Sequence, residues 1–200
     1  MPLRTLVPLA LLAGCCTPKH VVVTDIDETI TTQNAEWDSE IADPTYDPAM
    51  RPDANTLMQG YADDGYTVIY VTGRYSGLTL SNGETATDAT AAWLQRHDFP
   101  YASNNLFLAS TDNIFGDALT AYKAGIVEQF TAAGWTTDWA YGNASTDIDA
   151  YLQAGVASDH IFLVGSLAGT MGVAGITDSD AYTNHMATQL PLVTPVTCAS

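Results

Sequence analysis

Two aspartates directly follow a run of valines, where a buried strand is expected to end. The run is Val21–Val23, and the acids are Asp25 and Asp27, separated by one residue. Aspartate can attack phosphoryl groups as a covalent nucleophile, and a neighbouring carboxylic acid can protonate a leaving oxygen and then activate water. Two acids this close repel each other, so a divalent cation would stabilise them. The pair predicts phosphoryl-transfer chemistry, although solvated acids on a capped turn would fit the same residues.

A second apolar run ends in a hydroxyl, a glycine and an arginine. The run Thr67–Val71 predicts another buried strand, and it is followed by Thr72, Gly73 and Arg74. A hydroxyl and a backbone turn can donate hydrogen bonds to phosphate oxygens, and a guanidinium adds a planar cationic fork. All three residues are therefore candidates for binding substrate, with a surface ion pair as the alternative role of Arg74.

Lys123 is one of only two lysines in the chain, and it falls within a helical pattern. In an otherwise acidic chain, a rare cation is well suited to neutralising a phosphate and a nucleophilic carboxylate. The alternative is a lysine on a solvated helix face.

The last group of candidate residues begins where a short strand pattern ends. Residues 139–141 run into Gly142 and Asn143, and Asp147 follows at the start of a helical pattern. Asp147 could complete an oxygen-ligand shell for Mg²⁺, or it could simply be an acid that the helix dipole favours. Asp149, two residues further on, is expected to face solvent.

The segments that must position these residues alternate between strand and helix patterns. The predicted strands are 21–24, 67–71, 106–109, 139–141 and 161–164, and the predicted helices are 53–64, 84–97, 116–133 and 146–154. This alternation predicts an α/β fold, a Rossmann-like three-layer sandwich with a mainly parallel sheet. Ligands of such sheets bind beyond the carboxyl ends of the strands, where the candidate residues fall. With 200 residues, we expect a single domain over 20–200.

In their order along the chain, these motifs resemble the four-motif signature of the haloacid dehalogenase (HAD) superfamily of phosphatases, over residues 20–164. The resemblance implies that Asp25 is the nucleophile and forms an aspartyl-phosphate, and that Asp27 is the general acid and base. It implies that Thr72 donates to a phosphate oxygen and that Lys123 steadies nucleophile and phosphate. The implied metal is Mg²⁺, held by the Asp25 carboxylate, the Asp27 backbone carbonyl and Asp147. The candidate substrate-binding set is Thr72, Gly73, Arg74, Lys123 and Asn143.

Within that superfamily, residues 25–31, 141–143 and 146–147 are similar to the catalytic domain of lipin-type phosphatidate phosphatases. Two positions depart from the lipin pattern, because Glu28 stands where lipins carry Gly and Thr72 where they carry Ser. Little or no cap domain fits, since only about twenty residues separate Thr31 from the helix near Asp53. An open site would suit a bulky substrate such as a lipid head group.

The resulting prediction is a Mg²⁺-dependent phosphomonoester hydrolase, with a lipid phosphate such as phosphatidate as a candidate substrate. Two alternatives remain open. One is a non-catalytic module of the same fold that binds a phospholipid head group. The other is an exported acid phosphatase of broad substrate range.

The first residues have the pattern of a secretory signal, with Arg4 ahead of a short apolar run. Leu12 to Cys15 resembles the bacterial lipobox, which implies removal of residues 1–14 and attachment of diacylglycerol to Cys15. Residues 15–19 would then be a lipidated tether to a membrane of the bacterial cell envelope, and an ordinary signal peptide is the alternative. Cys16 and Cys198 could pair in an oxidising compartment or remain free thiols.

The balance of charge excludes one class of partner. The chain has 6 Lys plus Arg against 23 Asp plus Glu, a net charge of -17. Such a field repels phosphate backbones, so nucleic-acid binding through a basic face is excluded. We expect a monomer. Residues 165–200, with a helix predicted over 178–189, contain no recognisable chemistry.

Overall fold

The valines of β1 (His20–Thr24) are completely buried because this strand lies inside a six-stranded sheet. The structure is a computed structural model that describes residues 19–176 and 181–196. The strand order is β3-β2-β1-β4-β5-β6, and every neighbouring pair is parallel. The other strands are β2 (Thr67–Tyr75), β3 (Leu106–Ala109), β4 (Thr136–Gly142), β5 (Ile161–Leu163) and β6 (Ala174–Gly175).

Helices cover both faces of this sheet. They are α1 (Ala35–Ala42), α2 (Ala54–Asp63), α3 (Ala86–Arg96), α4 (Gly116–Ala132), α5 (Ser145–Gln153) and α6 (Thr183–Gln189), and single 3₁₀ turns occur at Ser158–His160 and Leu190–Leu192. Leu57 of α2 and Trp93 of α3 belong to the core on one face, whereas Val127 of α4 and Ile148 of α5 belong to the core on the other. This arrangement confirms the predicted three-layer α/β sandwich with a parallel sheet.

The sheet order explains why distant motifs meet. The strands β2, β1 and β4 are neighbours, and their carboxyl ends lie at the same edge of the sheet. The chain leaves β1 for β2 on one side and later returns to β4 on the other. The crevice beyond such a switch point is where ligands of α/β sheets bind.

Several element bounds differ from the sequence prediction. The strand β2 continues to Tyr75 instead of ending at Val71, and its pairing with β3 is irregular between Thr72 and Tyr75. Gly73 and Arg74 therefore lie in a distorted stretch of strand. The strand β4 begins at residue 136 instead of 139, and the two-residue strand β6 was not predicted.

Helix α1 was also absent from the prediction, because it contains only two large apolar residues, Trp37 and Ile41. Its buried residues are Glu36 and Glu40, not hydrophobic side chains. The carboxylate of Glu36 accepts hydrogen bonds from the Tyr46 hydroxyl at 2.6 Å and the Ala49 backbone N–H at 2.9 Å. Hydrogen bonds thus replace the hydrophobic periodicity that normally marks a surface helix. Among the described residues, α1 is the helix inserted between β1 and α2, so no cap domain is present there.

Some sequence predictions fall outside the described residues. These are the signal peptide 1–14, the lipidation site Cys15, the cysteines Cys16 and Cys198, and the first residues of the helix expected over 178–189. That helix is seen as α6, which begins at Thr183. Within residues 19–176 and 181–196, no helix combines the length and apolarity needed to span a bilayer.

Candidate active site

A cleft of about 910 Å³ lies at the carboxyl edge of the sheet, where the predicted site residues converge. Its charged lining includes Asp25, Asp27, Arg74, Lys123 and Asp147. Its apolar lining comes from α1, the segment after β2 and the start of α4, and consists of Trp37, Ile41, Leu78, Ile114, Phe115 and Leu119. Phe115 is 72% exposed. The cleft therefore combines a charged, buried floor with an apolar wall that reaches solvent.

Lys123 lies between two buried carboxylates on the floor of the cleft. Its Nζ donates to Oδ1 of Asp25 at 2.7 Å and to Oδ1 of Asp147 at 2.6 Å. The side chains of all three residues are at least nine-tenths buried. Helix α4 thus brings its lysine to the ends of β1 and β4, and Lys123 is not on a solvated helix face.

The start of α5 holds Asp147 in place. Its Oδ2 accepts hydrogen bonds from the backbone N–H groups of Asn143 and Ala144, both at 3.1 Å. Ala144 is the N-cap residue of α5, where the free N–H groups of the helix favour a carboxylate, and Asn143 belongs to the turn before it. Gly142 allows the close approach, because a Cβ at that position would lie 2.4 Å from Cβ of Asp147. Asp149, by contrast, is exposed, as expected.

Burial and neighbouring charge shift the pKa values of this cluster. Burial, together with the charges of Asp147 and Asp27, raises the pKa of Asp25 to about 7, while Lys123 acts in the opposite direction. Burial alone would lower the pKa of Lys123, but the two carboxylates raise it above its ordinary value. Lys123 is therefore charged, and negative charge at Asp25 is only partly compensated.

Asp27 is held by a different set of donors. Arg74 donates from Nη2 to Oδ1 at 2.8 Å and from Nε to Oδ2 at 3.1 Å. The hydroxyl of Thr72 donates to the same Oδ2 at 3.1 Å. The side chain of Asp27 remains 21% exposed to the cleft. Thr72 and Arg74, both candidates for binding phosphate, thus contact the candidate acid in this structure.

Arg74 is fixed on its other sides as well. Nη1 donates to the Thr90 hydroxyl at 2.9 Å, and Cζ lies 4.1 Å from the centre of the Trp37 ring. Only 1% of the arginine side chain is exposed. Trp37 and Tyr75 both line the cleft, whereas the hydroxyl of Tyr46 donates to Glu36.

Thr29 is a site residue for which no role was predicted. Its hydroxyl lies 2.9 Å from Oδ2 of Asp25 and 3.1 Å from Oδ1 of Asn143. It links the nucleophile candidate to the loop after β4. The available signal was its place in the Asp25–Thr29 motif, four residues after Asp25.

Glu28 explains one departure from the lipin pattern. Its φ is +59°, a left-handed conformation that glycine adopts without a side-chain penalty. Its backbone is stabilised locally, since its N–H donates to the Thr31 hydroxyl at 3.0 Å and its carbonyl accepts from Arg51 Nη2 at 2.9 Å. Position 28 therefore requires a left-handed backbone conformation. The glutamate side chain accepts a hydrogen bond from Asn34 rather than from a catalytic candidate.

The donor set at Asp25 suits Mg²⁺, the cation that the family resemblance implies. Two buried carboxylate oxygens, from Asp25 and Asp147, converge on one ammonium nitrogen, so two negative charges face one positive charge. Carboxylate and carbonyl oxygens are the ligands that Mg²⁺ prefers, with water completing its shell. Within the described part of the chain, no group of three or more His, Cys, Asp or Glu side chains forms a metal site. The implied set accordingly relies on a backbone carbonyl as well as carboxylates.

Comparisons with known proteins agree with this geometry. A family model described as "PITM 1-3, LNS2 domain" matches residues 22–165. Protein retinal degeneration B of Drosophila melanogaster is 29% identical over 144 residues, which cover 70% of this chain and 10% of that protein. Membrane-associated phosphatidylinositol transfer protein 3 of Mus musculus is 25% identical over 141 residues, covering 70% of this chain and 13% of that protein. The chain thus spans about a tenth of the length of these relatives.

A solved structure shows the same fold. The D,D-heptose 1.7-bisphosphate phosphatase from B. bronchiseptica, complexed with magnesium and phosphate, superposes with a TM-score of 0.56 at 16% identity. The match covers 84% of this chain and 98% of that chain. The family model covers well over half of the chain and includes Asp25, Thr72, Lys123 and Asp147. The chain therefore belongs to the LNS2 domain family described for PITM 1-3, and its fold is that of the HAD phosphatases.

Proposed function

We propose that this protein is a Mg²⁺-dependent phosphomonoester hydrolase that acts through an aspartyl-phosphate on Asp25, with a lipid phosphate such as phosphatidate as substrate. One observation supports the proposal above all others. Asp25 lies in an open cleft with Lys123 on one carboxylate oxygen, while Asp27, two residues further, faces the same cleft. A nucleophile, a fixed cation and a candidate acid are the groups that phosphoryl transfer through a covalent intermediate requires.

The reaction would proceed in two steps. In the first, a carboxylate oxygen of Asp25 forms a bond to phosphorus, the ester P–O bond breaks, and Asp27 gives its proton to the leaving oxygen. In the second, water adds to the phosphorus, its proton passes to Asp27, and the bond to Asp25 breaks to release inorganic phosphate. Asp27 is thereby protonated again, and the site is ready for the next ester.

The remaining residues bind and orient the groups that react. Lys123 would hold the Asp25 carboxylate ionised and neutralise a phosphate oxygen. Gly73 and Asn143 line the cleft and would face the phosphate, Thr72 supplies a hydroxyl beside Asp27, and Arg74 holds Asp27. When bound by Asp25, the Asp27 carbonyl and Asp147, Mg²⁺ would supply positive charge opposite the phosphate oxygens.

The choice of a lipid phosphate rests on the wall of the cleft. Ile41, Ile114, Phe115 and Leu119 give it an apolar lining, which suits a leaving group without charge. Arg74 is engaged with Asp27 and Lys123 with two carboxylates, so the charged lining offers little to a second phosphate on the leaving group. An apolar alcohol such as diacylglycerol matches these surroundings.

Phosphatase assays with and without Mg²⁺ would test the proposal. Three substrates would be compared: phosphatidate in vesicles, soluble p-nitrophenyl phosphate and a phosphopeptide. The variants are Asp25→Asn and the matched control Asp149→Asn. We expect Mg²⁺-dependent phosphate release by the wild type and by Asp149→Asn, preference for phosphatidate, and loss in Asp25→Asn. Turnover in Asp25→Asn equal to that of the wild type would refute the role of the nucleophile.

A binding module for phospholipid head groups is the second candidate. It is favoured by one relative, the membrane-associated phosphatidylinositol transfer protein 3, although the chain matches only 13% of that protein. This candidate predicts Mg²⁺-dependent binding to phosphatidate vesicles with no release of phosphate. Equal turnover of all three substrates would instead favour the broad-range acid phosphatase.

The place of action is proposed from the first residues of the sequence. If Cys15 carries diacylglycerol, the site would be tethered to the membrane that holds its substrate. Expression in a bacterium should then leave the wild type in the membrane fraction and release Cys15→Ser into the soluble fraction. Equal membrane association of both proteins would contradict lipidation at Cys15.

A further inference from the structure

The guanidinium of Arg74 is paired with a carboxylate of the protein itself. The guanidinium forms a forked ion pair with Asp27, with one nitrogen 2.8 Å from Oδ1 and another 3.1 Å from Oδ2. The arginine side chain is 1% exposed, whereas that of Asp27 is 21% exposed. The ion pair therefore fixes the carboxylate without removing it from the cleft.

Three further contacts fix the arginine itself. The Trp37 ring of α1 lies 4.1 Å from Cζ, which is within the range of a cation–π interaction. Thr90 of α3 accepts a hydrogen bond from Nη1 at 2.9 Å. The backbone N–H of Arg74 donates to the Thr72 hydroxyl at 3.2 Å. Turning the guanidinium toward a substrate would break contacts with two helices.

A second arginine of the chain shows how an ordinary surface pair differs. Arg96 lies 2.9 Å from Asp47, and their side chains are 48% and 52% exposed. Exposed pairs of this kind contribute little to stability, since water screens them and the side chains move. The pair of Arg74 and Asp27 is buried on the arginine side and held by planar, forked hydrogen bonds.

We propose that Arg74 is a positioning residue, which holds the carboxylate of Asp27 toward the cleft and is itself held by Trp37 and Thr90. This inference rests on the proposed function, because it assigns Asp27 the proton transfers. A general acid must lie within hydrogen-bond reach of the leaving oxygen, so its orientation governs its rate. Helix α1 thereby acts on the chemistry through an arginine, although none of its residues reacts.

The test compares leaving groups that differ in their need for a proton. An alkyl oxygen is a strong base and must be protonated as it leaves, whereas p-nitrophenolate leaves readily without a proton. For an alkyl phosphate, we expect Arg74→Gln to lower kcat by about 10- to 100-fold with KM little changed. Release of p-nitrophenol in the first turnover should fall far less, because that leaving group needs no proton.

Four further variants distinguish a positioning role from general damage to the site. Asp27→Asn should show the same dependence on leaving group, and adding Arg74→Gln to it should cause little further loss, because both changes remove one function. Trp37→Leu, which keeps the guanidinium, should give a smaller loss of the same kind. Arg96→Gln is the matched control and should match the wild type on both esters.

A structural measurement decides the proposal independently of activity. Three-bond NMR couplings of the Asp27 side chain should report a single χ1 rotamer in the wild type and in Arg96→Gln, and averaging between rotamers in Arg74→Gln. If the wild type hydrolyses neither ester, the proposed function fails. The rotamer measurement then still tests whether Arg74 positions the Asp27 side chain. An unchanged rotamer in Arg74→Gln, equal losses on both esters, or a gain in activity on removing Arg74 would each overturn the proposal.

Discussion

Nζ of Lys123 lies 2.7 Å from Oδ1 of Asp25, although the two residues are 98 positions apart in the sequence. The contact joins the middle of a long helix to the end of the central strand. Both side chains are almost completely buried, so their charges interact through a medium that screens them less than water does. The charge of Lys123 is therefore needed both for the fold and for the chemistry proposed for Asp25.

Replacing Lys123 with methionine should destabilise the protein and abolish phosphate release. Asp25 and Asp147 would remain buried without their common cation, and removing one partner of a buried ion pair costs about 3 kcal/mol or more. Urea unfolding followed by circular dichroism would measure the loss of stability. The matched control is Lys19→Met, since Lys19 is exposed and donates only to the Ala133 carbonyl. Equal stability of the two variants would show that the buried lysine contributes no net stabilisation.

Replacing Asp147 with asparagine should remove most of the stabilisation that Mg²⁺ provides. A ligand that binds only the folded state stabilises it by about 2.7 kcal/mol at one hundred times its Kd. We expect Mg²⁺ to raise the Tm of the wild type and of Asp149→Asn, the exposed control, but hardly that of Asp147→Asn. Differential scanning calorimetry with and without Mg²⁺ would measure the shifts. The same shift in all three proteins would place the cation elsewhere.

Replacing Gly142 with alanine should force the end of β4 away from Asp147. The added Cβ would lie 2.4 Å from Cβ of Asp147, and overpacking of this kind costs about 1 to 3 kcal/mol. Gly125→Ala is a suitable control, because its Cβ meets nothing within 4 Å on helix α4 and should stabilise the helix by about 0.5 to 1 kcal/mol. The two free energies of unfolding should change in opposite directions. A stability of Gly142→Ala equal to the wild type would mean that this close approach is not required.

Acid should destabilise the fold partly through His185. Burial lowers the pKa of this histidine to about 4, below its ordinary value of 6.5, and Nε2 lies 3.0 Å from the Tyr141 hydroxyl. Because the folded-state pKa is depressed, the stability is fully present above pH 6.5. It is lost as the pH falls toward 4, since the unfolded chain takes up a proton that the folded protein resists. The slope is about 1.4 kcal/mol per pH unit within that window.

The variant His185→Gln isolates this contribution, since the other histidines and all carboxylates are retained. Free energies of unfolding measured between pH 4 and 7 should fall less steeply in His185→Gln than in the wild type. Parallel pH profiles would show that His185 is protonated as easily in the folded protein as in the unfolded chain.

Local patterns predicted most of the fold because each depends on neighbouring residues. The run Val21–Val23 and the later apolar runs predicted strands because they are rich in β-branched residues. The alternation of these strands with helices predicted the parallel sheet. Helix α1 was missed for the same reason. Its buried residues are Glu36 and Glu40, and the partners of Glu36 lie outside the helix, so the usual pattern of buried hydrophobic residues could not reveal it.

By itself, the sequence determined which candidate residues follow the ends of strands, because a motif such as Asp25–Thr29 is continuous and follows its strand directly. The family resemblance implied a contact of Lys123 with Asp25, but only the tertiary structure showed that Lys123 also pairs with Asp147 and that Arg74 pairs with Asp27. Such pairings depend on how helices pack across a sheet, and side chains brought together from distant segments leave no spacing in the sequence that predicts their contact.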